Sequence, residues 1–278
     1  MKTVMHLLEK ELIEYRIVLK LPLFLALFAV LNFALVMSGD NVSFSVQTSG
    51  IGGWALDSGT TGYAGFIGKL NEWVAGVVYL ILFLVYFPKT LRKERQEGSL
   101  MFWRSVPVSD HLAIGIKLLF GLVVIPFVAS LLLVFSDAIV WLLAKWLMTE
   151  EVISSFSVTI PAMLWHWCSF IGRMAVISLS LLPLACVLLA VSQLTNHPMV
   201  SVIVAVIVTK LMAYLLLGTS AVGDFISDVY SLPLTILTNA QPVEAYLSLG
   251  VLAHVVLLLI SGGLFFLCSK LRSTDDFS

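Results

Sequence analysis

The sequence predicts an all-α integral membrane protein crossing the bilayer six times, and three observations predict it. Of its 278 residues, 59% are hydrophobic and only 12% charged, with a mean hydropathy of +1.01; a soluble domain carries roughly 25% charged residues. Six stretches stay apolar for about the 20 residues a helix needs to cross a hydrocarbon core about 30 Å thick. Lysine and arginine are also distributed very unevenly among the segments joining those stretches. The net charge of −1 gives no basic surplus, so nucleic acid is not an expected partner.

The chain opens on an amphipathic segment, residues 1–16. Val4, Leu8, Leu12, Tyr15 and Val18 recur at three- and four-residue steps and make one apolar stripe with charges elsewhere. Such a helix lies in the membrane interface beside the first span, either as an anchor or as a platform for a cytoplasmic partner. Its mixture of Lys2, Glu9, Lys10, Glu11, Glu14 and Arg16 is unlike a secretory signal, which starts basic and without acids. The spans are expected at Ile17–Ser38, Trp73–Phe87, Leu112–Trp141, Trp165–Leu194, Met199–Leu217 and Tyr246–Ser269. The second is short and must begin earlier or tilt little. Pro126 and Pro183 fall in mid-span and predict kinks in the third and fourth helices.

Orientation follows from the basic residues. With the N-terminus inside, twelve lie on the cytoplasmic side (Lys2, Lys10, Arg16, Lys20, Lys89, Arg92, Lys93, Arg95, Arg104, Lys117, Lys270 and Arg272) and two, Lys69 and Lys145, on the outer side. Trp54, Trp73, Trp141, Trp146, Trp165 and Trp167 all fall at the outer ends, where an amphipathic ring suits the interface. Both termini are therefore expected in the cytoplasm of a plasma membrane, the inner membrane if the cell is bacterial. The whole chain, 1–278, reads as one transmembrane domain. Its outer loop 39–72 is rich in Gly, Ser and Thr and carries Gly62, Gly65 and Gly68 at a regular spacing.

Residues 218–245, between the fifth and sixth spans, are too apolar for an ordinary loop. Two apolar pieces, Phe225–Tyr230 and Leu232–Leu237, are each too short to cross, and Pro233, at the start of the second, is expected to separate them. The pattern fits either a re-entrant hairpin dipping in from outside, tolerable where protein covers its backbone, or an interfacial helix.

Residues 88–111 are the sizeable cytoplasmic loop. Leu91–Glu97 extends the second span as a charged helix, Gly98 can end it, and Ser99 can cap a short new one. That helix must end before Pro107, which pushes its predecessor out of helical geometry, and Ser109 and Asp110 then cap the third span. The short helix carries Leu100, Met101, Phe102, Trp103, Arg104 and Val106 where water or headgroups are expected. An apolar cluster with Trp and Arg suits a protein contact; headgroup insertion is the alternative. Glu97 can pair with Lys93 one turn back, or meet backbone donors or a partner's arginine.

The run Glu94-Arg95-Gln96-Glu97-Gly98-Ser99-Leu100, followed by Arg104-Ser105-Val106-Pro107-Val108-Ser109, resembles the first cytoplasmic loop of ABC-2 type transporter permeases. In that family an acidic-glycine-hydroxyl run closed by Pro-Val-Ser forms the coupling helix against the ATPase subunit. The resemblance implies that Glu94, Glu97, Gly98, Ser99, Leu100, Phe102, Trp103, Arg104 and Pro107 dock an ABC ATPase. It further implies a permease homodimer or heterodimer, and export of a hydrophobic or amphipathic substrate. No cofactor is expected on this chain, since ATP-Mg would be bound by the partner. The nearest approach to a P-loop, at Gly68-Lys69, has Tyr63 in place of the upstream glycine and Leu70 in place of Ser/Thr.

Three charges fall within spans: Asp137, Arg173 and Lys210. Such residues are costly in lipid and often functional. Asp137 is expected to pair with Arg173 or Lys210, as a structural staple or as part of a gate or substrate path. Those residues also support an alternative, an ion-coupled secondary carrier; a non-transporting scaffold or sensor is another. An intramembrane protease is disfavoured, since there is no HExxH and neither Gly223-Asp224 nor Ser261-Gly262 has the accompanying glycine. Cys168, Cys186 and Cys268 have no metal-ligand or disulfide spacing and are expected to be small buried hydrophobes.

Overall fold

The apolar runs become helices whose ends are set by caps, glycines and prolines. The computed structural model describes residues 2–38, 63–96, 109–147, 150, 153 and 156–274. Ten α-helices of some length follow in order among these residues: α1 (Lys2–Glu14), α2 (Ile17–Ser38), α3 (Phe66–Gln96), α4 (Asp110–Leu119), α5 (Ile125–Leu147), α6 (Ile160–Leu194), α7 (Pro198–Leu217), α8 (Ala221–Thr238), α9 (Pro242–Leu247) and α10 (Val251–Thr274). A wide π-helical turn, Phe120–Val124, joins α4 to α5. Among the described residues six helical stretches are long and apolar enough to cross a membrane: 17–35, 66–93, 110–146, 160–194, 198–216 and 251–272. The chain is a multi-pass, all-helical membrane protein.

Several boundaries move from their expected places for local reasons. The short second span belongs to the longer α3, which begins at Phe66. The third begins at Asp110 because Ser109 caps it, its hydroxyl accepting from the Leu112 N–H at 3.3 Å. The sixth begins at Val251 rather than near Tyr246. Residues 242–247 form a separate short helix, and Gly250 at φ +88° turns the chain between the two. Pro233 does not divide its segment; it lies inside the continuous α8, and the break comes at Asn239–Gln241.

At Pro126 the missing N–H and the ring strain an ordinary α-turn. The wide turn immediately before it, in which the Ile125 N–H bonds to the Phe120 carbonyl, accommodates that defect. Gly121 sits in the same turn for a second reason: a Cβ there would lie 2.3 Å from the Phe87 ring, which is fully buried. Pro183, by contrast, sits inside a continuous α6.

The chain packs as two compact units. The first comprises Met1–Arg16, Leu80–Pro126 and Arg173–Ser278; the second comprises Ile17–Tyr79 and Phe127–Gly172. In the first, Tyr86 is surrounded by the rings of Tyr15, Phe87 and Phe120 with centroids 4.8–5.3 Å away. In the second, Tyr63, Ala64, Ala144 and Val158 form a small core backed by Val140, Trp141, Ile153, Ala162 and Met163. The turn entering α3 is tight. Ala64 and Gly65 are both left-handed, the Ala64 N–H bonds to the Phe156 carbonyl at 3.0 Å, and a Cβ on Gly68 would lie 2.1 Å from the Tyr63 carbonyl oxygen. Trp146 and Trp165 are 72% and 77% exposed, as side chains anchored at an interface would be. Cys186 and Cys268 are buried as expected, but Cys168 is exposed.

Candidate functional site

Among the described residues, each unit contains a buried ionic cluster. In the first unit it is built on α1. Glu11 lies on the apolar stripe, one helical turn from Leu8 and from Tyr15, and is only 3% exposed. Its Oε1 accepts from Lys117 Nζ at 2.7 Å and its Oε2 from the Tyr86 hydroxyl at 2.9 Å. Lys117, 2% exposed, also donates to Thr90 Oγ1 at 3.1 Å. One carboxylate thus ties α1 to α3 and to α4. A buried ion pair holds only when its remaining valences are met, and here Tyr86 and Thr90 meet them. A second layer lies nearer the surface: Glu14 pairs with Lys10 at 3.5 Å and with Lys93 at 3.4 Å, and Lys93 stands 5.4 Å from the Tyr15 ring. Glu14 thus engages Lys93; the pairing of Lys93 with Glu97 falls outside the described residues.

α4 is held on its other flank as well. Asp110, its first residue, pairs with Arg272 of α10 at 3.1 Å, and His111 lies against the rings of Phe265 and Phe266. The second residue after the 97–108 segment is therefore fastened by an ion pair.

In the second unit the cluster centres on Asp137, which is wholly buried. Asn71 donates to its Oδ1 at 3.0 Å, His166 Nδ1 lies 2.7 Å from its Oδ2, and the Tyr63 hydroxyl donates to its backbone carbonyl at 2.6 Å. The other imidazole nitrogen, His166 Nε2, lies 4.0 Å from Glu72 Oε2. The Tyr63 and His166 rings stack at 5.7 Å. Burial, and next the Asp137 charge, push the Tyr63 phenol well above its ordinary range, so it remains a donor. Close by, Trp167 donates to the Ser130 hydroxyl at 3.2 Å.

Within its own unit Asp137 is engaged by His166, which stands on α6 where its ring reaches across to α5; Arg173 and Lys210, its expected partners, belong to the other unit and are each engaged there. Arg173 instead donates through Nη1 to the carbonyls of Ile236, at 2.9 Å, Leu237, at 3.1 Å, and Asn239. These are carbonyls that the end of α8 leaves without helical partners, and a guanidinium there also suits the negative pole of the helix. Lys210 donates to Ser227, whose hydroxyl donates to the Gly223 carbonyl, so this lysine fastens α7 to α8.

Of the residues assigned to a coupling helix, Glu97, Gly98, Ser99, Leu100, Phe102, Trp103, Arg104 and Pro107 lie outside the described residues. Glu94 falls within α3, and its side chain is not described. What the structure adds is the anchoring on either side of them. Glu11, Thr90, Tyr86 and Lys117 were absent from the expected site, as were Asn71, Glu72 and His166. Glu11 was detectable, since its position falls on the stripe that the apolar residues define.

Comparisons with protein-family models, with curated proteins and with solved structures returned no match. The assignment of function therefore rests on the chain itself.

Proposed function

We propose that the chain is the membrane-spanning subunit of an ATP-driven transporter of the ABC-2 type, powered by a separate ATPase that binds ATP-Mg. The observation that carries this reading is the anchoring around residues 97–108. Helices α3 and α4, which lead into and out of that segment, are joined to one another and to α1 through Glu11, Lys117, Thr90 and Tyr86. Force applied to a helix seated between α3 and α4 is then borne by three helices together.

On this reading both termini are cytoplasmic, α1 lies in the interface, and residues 97–108 dock the ATPase through Glu97, Phe102, Trp103 and Arg104. Closure of the ATPase dimer pushes the 99–106 helix, tilts the second and third spans and opens a path within a permease dimer. The apolar interior favours a hydrophobic or amphipathic substrate moving outward. The α8–turn–α9 segment is a hairpin re-entering from the outer side; Arg173, by occupying the carbonyls at the end of α8, meets the demand that backbone within a membrane be covered by protein.

The test is co-expression with a candidate ATPase, mild solubilisation, and measurement of co-purification and ATP hydrolysis. The wild type is expected to hold the ATPase and the variant Glu97→Ala/Phe102→Ala/Trp103→Ala to lose it. A chain that binds no ATPase, or a variant that behaves as wild type, rejects the reading. A second reading, an ion-coupled carrier, is favoured by one observation, the imidazole between two carboxylates formed by His166, Asp137 and Glu72. It predicts substrate movement driven by a pH gradient in liposomes without any ATPase.

A further inference from the structure

We propose that Asp137, His166 and Glu72 form a proton-binding site that fastens α6 to α3 and α5 when the His166 ring carries its second proton, and loosens that hold when it does not.

Asp137 cannot reach water, and a carboxylate buried without partners is very costly. Two groups reach its carboxylate, the Asn71 amide at Oδ1 and the His166 ring at Oδ2, while the Tyr63 hydroxyl donates to its backbone carbonyl. The amide and the phenol are fixed donors between about pH 5 and about pH 9; His166 is variable. Its two ring nitrogens face two carboxylates on two different helices, Asp137 on α5 at 2.7 Å and Glu72 on α3 at 4.0 Å. Only the doubly protonated ring donates from both nitrogens. A neutral ring turns a lone pair toward one of the carboxylates, leaving either the Asp137 or the Glu72 contact repulsive.

Among the described residues, the titratable groups seen to face the ring include Glu72 from α3, Asp137 from α5 and Tyr63 from the turn before α3. Lys69 on α3 and Lys145 on α5 are exposed, and Lys145 lies over the Trp141 ring. The site joins helices at positions 71–72, 137 and 166, so loss of one proton loosens the hold of α6 on α3 and α5. In the orientation proposed above, these positions lie at the outer ends of the spans and the proton comes from the external medium. The inference itself needs neither that orientation nor an ATPase.

Its test uses the purified full-length chain in lipid nanodiscs, alone. Thermal unfolding is followed from about pH 5.5 to about pH 8.5, the range in which an unperturbed imidazole changes charge. Deuterium exchange at the imidazole C2 position of each of the five histidines is measured by mass spectrometry at the same pH values. The wild-type midpoint is expected to fall by about 4 °C or more as the pH rises, in step with a titration of His166. His166→Gln and Asp137→Asn are expected to remove most of that fall, and Glu72→Gln to reduce it. A wild-type midpoint independent of pH, a His166→Gln profile parallel to wild type, or a fall that occurs without titration of His166 overturns the proposal. If His166→Gln fails to fold, the exchange measurement on the native chain decides the question. Failure here leaves the ATPase-docking test untouched, and the reverse holds too.

Discussion

The two buried clusters solve the same problem with different chemistry. Around Glu11 a lysine supplies the positive charge, and Tyr86 and Thr90 complete the network with neutral hydroxyls, so every group points into one closed set of bonds. Around Asp137 the counter-group is an imidazole with a carboxylate at each nitrogen, and the fixed donors are an amide and a phenol. The first arrangement has an equal number of opposite charges and fastens α1 permanently. The second has one more carboxylate than the imidazole can neutralise. Buried ion pairs are not automatically stabilising; which of them is a fastening and which a switch depends on whether the cation has a second state within reach.

That contrast can be broken most severely at Lys117. Lys117→Met strands Glu11 in an apolar site and is expected to destabilise the chain by about 3–5 kcal/mol, measured as resistance to unfolding in detergent. Adding Glu11→Leu to it should recover most of the loss, because the cost comes from the unpaired charge and not from the missing attraction. If the double variant is no better than the single one, the pair is a net contributor and the first cluster is more than a neutralised pair.

Asp137→Asn keeps the shape but leaves one acceptor oxygen for both Asn71 and His166, so one bond is lost at a cost of about 1–3 kcal/mol. Its effect should fall below that of Lys117→Met in the same assay. A comparable cost is expected for Gly121→Ala, about 1–3 kcal/mol for overpacking against the buried Phe87 ring. That variant is a control for stability loss in the first unit without any change in charge.

The smallest effect sharpens the comparison at alkaline pH. The Tyr63 phenol is held well above its ordinary value of 10.0. The unfolded chain therefore releases this proton first, and the stability that depends on it is complete below about pH 10 and declines above. Tyr63→Phe should lessen the decline while leaving the neutral-pH midpoint within about 1 kcal/mol of wild type. An unchanged alkaline decline would remove Tyr63 from the cluster's energetics.

Much of this architecture is legible along the chain. Apolar length alone placed all six spans, and Ser109 followed by Asp110 marked the start of the third, where the hydroxyl does cap the helix. The spacing of Leu8, Leu12 and Tyr15 marked the face of α1 that packs inward. Pro233 misled, because a proline lacks only one helical bond, and a membrane helix tolerates that where neighbours compensate; the turn falls instead at Asn239–Gln241. Charge sign and span depth select Arg173 and Lys210 as partners for Asp137; His166, which engages it within its own unit, escapes such a tally because a histidine reads as neutral.

The sequence by itself determined the number of spans, their approximate places and the amphipathic face of α1, because lipid imposes a length and a polarity that every crossing segment must meet. Only the tertiary structure decided which polar groups meet. Glu11 and Lys117 are 106 positions apart, Tyr63 and Asp137 are 74, and no local rule connects them. Their pairing depends on which helix faces which, and in a low-dielectric interior that choice fixes whether a buried charge is neutralised, hydrogen-bonded or left costly.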